Sequence, residues 1–429
     1  MRAFLYRVYR ALAALVRWSR RTFTPAGTLA LAALVLTGVF GIDTTQSTAY
    51  RLFAFLAVLL AVALVGARFA RGRFAVRREL PRLVSAGEPF TYRLVLANRG
   101  ARPARALSII DDLHEDAPAL AQFSGRWRVP TYRRWQALAA RNRAGRVDVH
   151  AWAALAPGAV VELPMQGRAL RRGRLRFTGV SIGCDEPLGL ARGIVRVPLE
   201  ASLTVLPQRY RLPPVHLPGG RRLQQGGVAL ASSVGDSEEF IGLRDYRPGD
   251  MLQRVHWKSF ARTGRPVVRE YQDEYFERHA LVLDTFAGAG DDAAFEEAVA
   301  VAASFACTID TQECLLDLMF VGTEAHTYTA GRGLLSAGSL LEVLAGVRRC
   351  EDQPFRVLAE ALRARAGGMT GCICVLVGWD RDRADLVDAL RARGAAVRVL
   401  CVAAARPAAA PSWVTHLVPG RIQEGLAAL

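Results

Sequence analysis

Lysine is nearly missing from this 429-residue chain: all of its 56 basic residues except Lys258 are arginine. With so much alanine alongside, that imbalance matches the coding bias of a GC-rich genome, so arginine abundance alone does not point to a polyanion partner. Acids are missing from the first 42 residues, Asp43 being the first. No GxxxxGK[ST] phosphate loop, HExxH pair or GxSxG elbow occurs, which removes the commonest sequence routes to nucleotide hydrolysis, zinc proteolysis and serine hydrolysis. Gly331-Arg332-Gly333 is a lone glycine pair and reads as a turn. The seven cysteines (Cys184, Cys307, Cys314, Cys350, Cys372, Cys374 and Cys401) are odd in number, and none sits in a CxxC pair. That pattern argues against a disulfide framework and suits reduced thiols in a cytoplasmic domain. Cys372 and Cys374 fall on one face of a strand, where small core residues are a better reading than a metal site.

What is present is unevenly spread. The net charge is +17, yet residues 1–80 hold twelve arginines against Asp43 and Glu79, a balance of +10 that leaves +7 for the other 349 residues. A nucleic-acid role would rest on the total alone, and it weakens once this block is set aside. The block brackets two runs without ionisable side chains, 25–42 and 52–67. Each lies near the lower limit of about 17 residues for crossing a bilayer core. The second reaches it when Ala49 and Tyr50 are added and Arg51 snorkels. A cleaved signal peptide would explain one run, but not a second followed by Arg68, Arg71, Arg73, Arg77 and Arg78. A buried soluble pair would need a polar face, which neither run has. Residues 25–67 are therefore expected to form a two-pass transmembrane hairpin, its basic flanks keeping both termini and the soluble domains cytoplasmic. Residues 1–24 interleave arginines with Phe4, Leu5, Tyr6, Leu12, Leu15 and Trp18, which suits an interfacial helix on an anionic leaflet.

Residues 74–206 carry short strand patterns punctuated by glycine and proline. The segment 90–100 alternates apolar and polar residues and ends in the turn Asn98-Arg99-Gly100; 147–152, 160–164, 173–182 and 201–206 repeat the style. This predicts an antiparallel β-sandwich. Residues 111–146 interrupt it as an inserted helix or long loop, whose Trp127, Tyr132 and Trp135 are expected to pack the insertion onto the sandwich. Residues 207–234, rich in proline and glycine, read as a linker. Beyond 275 the rhythm changes. Strands at 279–284, 314–321, 372–378 and 396–402 alternate with helices at 293–309, 336–347, 354–366 and 381–393, which predicts a parallel, doubly wound α/β sheet over 276–429.

Between these regions, residues 235–275 are the densest in chemistry. Phe240, Tyr246 and Trp257 stand among seven cations and eight anions between Asp236 and Glu274. A near-neutral balance reads as paired charges, and Pro248-Gly249 suits the middle of a type II turn. The ordered set Phe240, Gly242, Leu243, Arg244, Tyr246, Gly249, Asp250, Arg254, Trp257, Ala261 and Arg262, followed by Arg269 and Glu270, resembles the conserved segment of the bacterial domain of unknown function 58 family. Arg269 stands where many relatives carry lysine. The resemblance extends more loosely from about residue 68 to the C-terminus. It implies an immunoglobulin-like module for the sandwich, with residues 185–190 similar to a turn that members carry near its end, and a von Willebrand factor A-like fold for the α/β domain. It also implies a MoxR-type AAA+ ATPase as partner, at a bacterial inner (plasma) membrane whose lipid bilayer holds the hairpin.

Von Willebrand factor A-like domains commonly bind a divalent ion through Asp-x-Ser-x-Ser, which offers a carboxylate and two hydroxyls as hard oxygen ligands. Here those positions are Asp284, Phe286 and Gly288, so the carboxylate remains and the hydroxyls are gone. No metal site or cofactor is expected, and Asp284 reads as a strand-end cap. Asp250, His256 and Asp284 contain ingredients of a hydrolytic group, but no nucleophile accompanies them and His256 reads as scaffold. Arg244, Arg254 and Arg262 either grip an anionic ligand or pair with Glu239, Asp245, Asp250 and Glu270 to brace the sandwich to the α/β domain; the many local acids favour pairing. The expected function is that of a membrane-anchored cytoplasmic interaction or scaffold protein without catalytic residues, serving the ATPase in a chaperone-like or assembly role. The alternative is a hydrolase or ligand-binding enzyme built on the Arg/Asp/His residues of 244–262.

Overall fold

Two structural units divide the chain after Gln208. The computed structural model describes residues 2–40, 47–123, 131–213, 239–250, 252–272, 277–288, 292–309, 314–331, 334–366 and 369–429. The first unit begins with helices α1 (Arg2–Thr22), α2 (Pro25–Phe40) and α3 (Ser47–Phe69). Thr24 punctuates the first two: its Oγ1 accepts the Gly27 amide at 3.1 Å, and Pro25 follows at the first helical position, where its missing N–H costs nothing. Within α3, Thr48–Phe69 is the one stretch among the described residues long and apolar enough to cross a membrane. α2 packs on α3, Phe53 lying beside Gly38, but its 16 residues fall short of a usual span. Residues 41–46, between these two helices, lie outside the described residues.

The rest of this unit is β1 (Phe74–Glu79), β2 (Leu83–Ser85), β3 (Pro89–Asn98), β4 (Ala104–Leu113), α4 (Leu120–Phe123), α5 (Tyr132–Asn142), β5 (Gly145–Val147), β6 (His150–Leu155), β7 (Val160–Ala169), β8 (Gly173–Asp185) and β9 (Arg192–Leu206). The strands form one sheet in the order β1-β3-β7-β5 and another in the order β2-β9-β8-β4-β6, antiparallel except for β2 against β9. The period-2 pattern explains the core. Phe90, Tyr92, Leu94 and Leu96 point inward from β3, Leu163 and Met165 from β7, and they meet Leu107, Ile109, Leu175, Phe177, Ile182 and Leu203 of the other sheet in one cluster.

The interruption expected at 111–146 begins later than its composition suggested. Asp111 and Asp112 close β4 and are buried, because Arg78 Nε and the Tyr92 hydroxyl donate to Asp111 at 2.9 and 2.7 Å, while the Ser181 hydroxyl donates to Asp112 at 2.6 Å. The described aromatics of the insertion pack on α1. Trp135 and Phe123 meet Tyr6 of α1 with ring centroids 5.0 and 5.8 Å apart, and Tyr132 meets Tyr9 at 5.6 Å. The N-terminal helix meets them with the side that carries Tyr6 and Tyr9. Trp127 lies outside the described residues.

In the second unit, residues 209–213 have no regular structure and the remainder of the expected linker, 214–234, lies outside the described residues. Then come β10 (Glu239–Asp245), α6 (Trp257–Thr263), β11 (Val267–Gln272), β12 (Glu277–Leu283), α7 (Asp292–Thr308), β13 (Cys314–Val321), β14 (Ala325–Ala330), α8 (Ala337–Gly346), α9 (Arg356–Arg365), β15 (Gly371–Val377), α10 (Arg381–Ala392), β16 (Ala396–Val402), β17 (Thr415–Leu417) and α11 (Ile422–Ala427). β10 and β11 form a two-stranded antiparallel sheet. The other six strands form a sheet in the order β14-β13-β12-β15-β16-β17, parallel except for the edge strand β14. β15 reads GCICVLV and is buried along its whole length, as a central parallel strand covered on both faces must be. The alternation read from sequence is thus present, with the short edge strands β14 and β17 added to it.

Candidate functional site

The motif segment folds as a hairpin with a helical excursion. β10 pairs antiparallel with β11, Leu243 opposite Arg269 and Arg244 opposite Val268, with a register shift between Phe240 and Gly242. Its turn is the expected one: the Asp250 amide donates to Arg247 O at 3.0 Å, and Gly249 has φ +107, a conformation that favours glycine. Arg244 then grips Asp250 with both terminal nitrogens, at 2.7 and 2.6 Å, while the Arg247 amide adds 2.8 Å. The Arg244 bond, helped by that amide, holds the Asp250 carboxyl down at about 2. The chain returns by a 3₁₀ turn at Leu252–Arg254 and by Val255, which bridges to Val268; both valines are buried. Gly264, at φ +66, closes α6 with its amide on Phe260 O at 2.9 Å.

This frame turns apolar side chains outward. Leu252 is 65% exposed and Trp257 60%, and Phe260 meets Trp257 edge-on at 6.1 Å. Lys258, Ala261, Arg262 and Arg265 are exposed on and beside α6. His256 Nδ1 lies 2.7 Å from the Ser259 hydroxyl. Of the expected charge pairs, Arg244–Asp250 is made, and Arg262 has no partner among the described residues. The side chains of Phe240, Arg254, Glu239 and Glu270 lie outside the described residues, although their backbones belong to the hairpin and its 3₁₀ turn.

Asp284 belongs to another element. It follows β12, where strand order reverses between β12 and β15, the position at which open α/β sheets place ligands. Its carboxylate is wholly buried and engaged. Oδ1 accepts the Phe286 amide at 2.9 Å; Oδ2 accepts the Val377 amide at 2.9 Å and Arg383 Nε at 2.7 Å. Asp284 does cap the following loop, as expected. The guanidinium was not anticipated. Arg383 also donates to Asp380 and to Phe286 O, and its carbon lies 4.9 Å from the centre of the Phe355 ring. Burial opposes its charge, but the two carboxylates outweigh burial and raise its pKa above the ordinary value. Asp284 Oδ2 is thus shared between a backbone amide and an internal cation. Thr285 points away, its hydroxyl donating to Val321 O at 2.6 Å. One signal was available in the sequence: an arginine in the first turn of a helix opposes the macrodipole and needs a carboxylate nearby.

The hairpin and the switch point together describe a mixed α/β protein with an apolar N-terminal helix, a braced and exposed aromatic corner, and an arginine in the sheet crevice. Residues 242–409 match the family described as "Protein of unknown function DUF58". The uncharacterized protein YeaD of Bacillus subtilis (strain 168) is 26% identical to it over 164 residues, 38% of this chain and 39% of YeaD. The chain thus matches about two fifths of that relative's length. Among solved structures, a CARDB domain from Pyrococcus furiosus is similar to 32% of this chain over 89% of its own length, with 12% identity and a TM-score of 0.17. An ASH/PapD-like domain of human CEP192 is similar to 32% of this chain over 87% of its own, with 16% identity and a TM-score of 0.19.

Proposed function

We propose that this protein is a membrane-anchored adaptor that presents the Trp257 corner to a protein partner and performs no chemistry itself. The observation that carries the reading is an exposed apolar group in the same segment as a made ion pair: Arg244–Asp250 at 2.6 Å, with Leu252, Trp257 and Phe260 exposed. An isolated exposed tryptophan costs solubility, whereas tryptophan and arginine together are the commonest anchors of protein interfaces. The family resemblance supplies the partner class, a MoxR-type AAA+ ATPase. On the same reading α2 and α3 form a two-pass hairpin in a bacterial inner membrane, with basic flanks holding both termini and the soluble parts in the cytoplasm. The two sheets of the first unit are taken as an immunoglobulin-like sandwich, and the six-stranded sheet as a von Willebrand factor A-like domain in which Asp284 pairs with Arg383. The adaptor reading is preferred to the hydrolase alternative because two carboxylates that a hydrolytic group would use are engaged, Asp250 with Arg244 and Asp284 with Arg383.

The test is binding of the detergent-solubilised full chain to the purified MoxR-type ATPase of the same genome. Trp257→Ala is expected to weaken the complex by about 30-fold, the value of a hot spot near 2 kcal/mol, with an unchanged circular dichroism spectrum. No complex at micromolar concentration, or equal binding by Trp257→Ala, would remove this reading.

A further inference from the structure

We propose that α1 lies in the headgroup layer of an anionic phospholipid leaflet, with Phe4, Val8, Leu12, Leu15 and Trp18 inserted among the lipids and its outward arginines on their phosphates. The inference rests on the membrane-anchored reading above and adds a second, in-plane attachment to it.

At 3.6 residues per turn these five positions fall on one arc of about 120°. All five are exposed, Phe4 by 67%, Leu15 by 57% and Trp18 by 53%. The opposite face is occupied: Tyr6 and Tyr9 pack on Phe123, Trp135 and Tyr132, and the Tyr6 hydroxyl donates to Pro118 O at 3.0 Å. Arg21 reaches the buried Asp112 at 2.8 Å and Arg17 reaches Glu115 at 3.6 Å. These contacts hold the helix with its apolar arc outward, so the arc cannot turn inward without breaking them.

Charge decides the occupant. The helix has six arginines and no acid, and Arg7, Arg10 and Arg20 are exposed. Arg7 borders the apolar arc and Arg10 and Arg20 lie about 80° beyond its edges, so a cationic side without acids accompanies the arc, a pairing that complements anionic headgroups over acyl chains. Continuity points the same way. Only Phe23 and Thr24 separate α1 from α2, which packs on the membrane-crossing candidate α3. Trp18 sits one turn before that junction, where membrane proteins concentrate tryptophan.

The experiment uses the full chain in lipid nanodiscs, in a Cys307→Ser background because Cys307 is the exposed thiol and the other six are buried. A nitroxide is attached at Leu15→Cys, and its collision rates with oxygen and with a water-soluble nickel chelate are compared. A nitroxide on native Cys307 gives the aqueous reference, and one at Val62→Cys, on the exposed face of α3, reports anchoring itself. In phosphatidylglycerol-containing discs the oxygen-to-nickel ratio at Leu15 should exceed the aqueous reference by about threefold or more. It should fall towards that reference in Arg7/Arg10/Arg20→Gln, with Val62 unchanged. A Leu15 label as aqueous as Cys307 while Val62 is immersed overturns this inference and leaves anchoring intact. So does dipolar broadening between labels on two copies, which would make the face a self-association surface. Immersion that is the same in phosphatidylcholine alone and survives loss of the three arginines overturns the anionic requirement. An aqueous Val62 overturns the anchoring reading, and this inference with it.

Discussion

Arg383 donates its Nε to Asp284 Oδ2 at 2.7 Å in the crevice where strand order reverses, with both side chains almost fully buried. Removing one partner of such a pair strands a buried charge and costs about 3–5 kcal/mol. In a unit of this size that corresponds to about 6–20 °C in melting temperature. Arg383→Met is therefore expected to melt well below the parent in calorimetry. The double variant Asp284→Leu/Arg383→Met should recover part of the loss, because no fully buried charge is left unpaired while the Phe286 and Val377 amides still lack their acceptor. A single variant as stable as the parent would show that the pair is incidental.

Asp250 provides a pH prediction. Its carboxyl is lowered from 3.8 to about 2, first by the Arg244 bond and then by the Arg247 amide. A depressed carboxylate pKa stabilises the fold fully above the unfolded value, and the contribution is lost as pH falls through the folded value. The window is therefore about pH 4 down to about pH 2. Carboxyl-carbon NMR should find the Asp250 midpoint near 2, and in Arg244→Gln it should move up toward about 3.9. A midpoint unmoved by Arg244→Gln would mean that the guanidinium does not set it.

How much of this was legible depended on the kind of signal. Period-2 alternation in β3 and the buried run of β15 declare themselves locally, as does the Pro248-Gly249 turn, because each is a property of a few adjacent residues. Partners across long separations do not. Arg383 meets Asp284 across 99 positions and Tyr6 meets Trp135 across 129, so the sequence around each residue does not identify the other. Asp111 and Asp112 misled for a related reason. Two adjacent acids look like a loop unless the partners Arg78, Tyr92 and Ser181, all distant in sequence, are already known.

Thiol chemistry follows from burial. All seven cysteines are unbridged and only Cys307, near the end of α7, is exposed. Burial pushes the Cys401 thiol up to about 11, so at pH 8 it is both hidden and protonated. Iodoacetamide on the native chain should label Cys307 rapidly and the others only after denaturation, as read by peptide mass spectrometry. Cys307→Ser should leave no fast-reacting thiol. Rapid native labelling of Cys401 would contradict the packing of β16.

Glu186 ties the β-sheets to the helices of the first unit. Its buried carboxylate accepts the amides of Leu188, Leu190 and Ala191, shaping the loop between β8 and β9. That loop meets the α1–α2 junction, where the Thr24 amide donates to Leu190 O at 3.1 Å and Phe23 bridges to Ala191. The approach is close enough to need glycine on both sides. A Cβ on Gly27 would lie 1.8 Å from Leu190 O, and one on Gly193 would lie 2.2 Å from Ala67 O, contacts between backbones that have no flexible end to yield. Glu186→Ala would leave three amides short of an acceptor, at a cost of about 1–3 kcal/mol. Gly193→Ala should instead separate α3 from β9. Both variants, in detergent, are expected to speed tryptic cleavage after Arg71 and Arg73, between α3 and β1, by about tenfold, as a junction loosened by about 1.4 kcal/mol would. Leu188→Ala, which truncates a half-exposed side chain on the same loop, serves as the control and should stay within about 0.5 kcal/mol of the parent. If Gly193→Ala keeps the parent's protection at Arg71 and Arg73, the loop does not join the helices to the sheets.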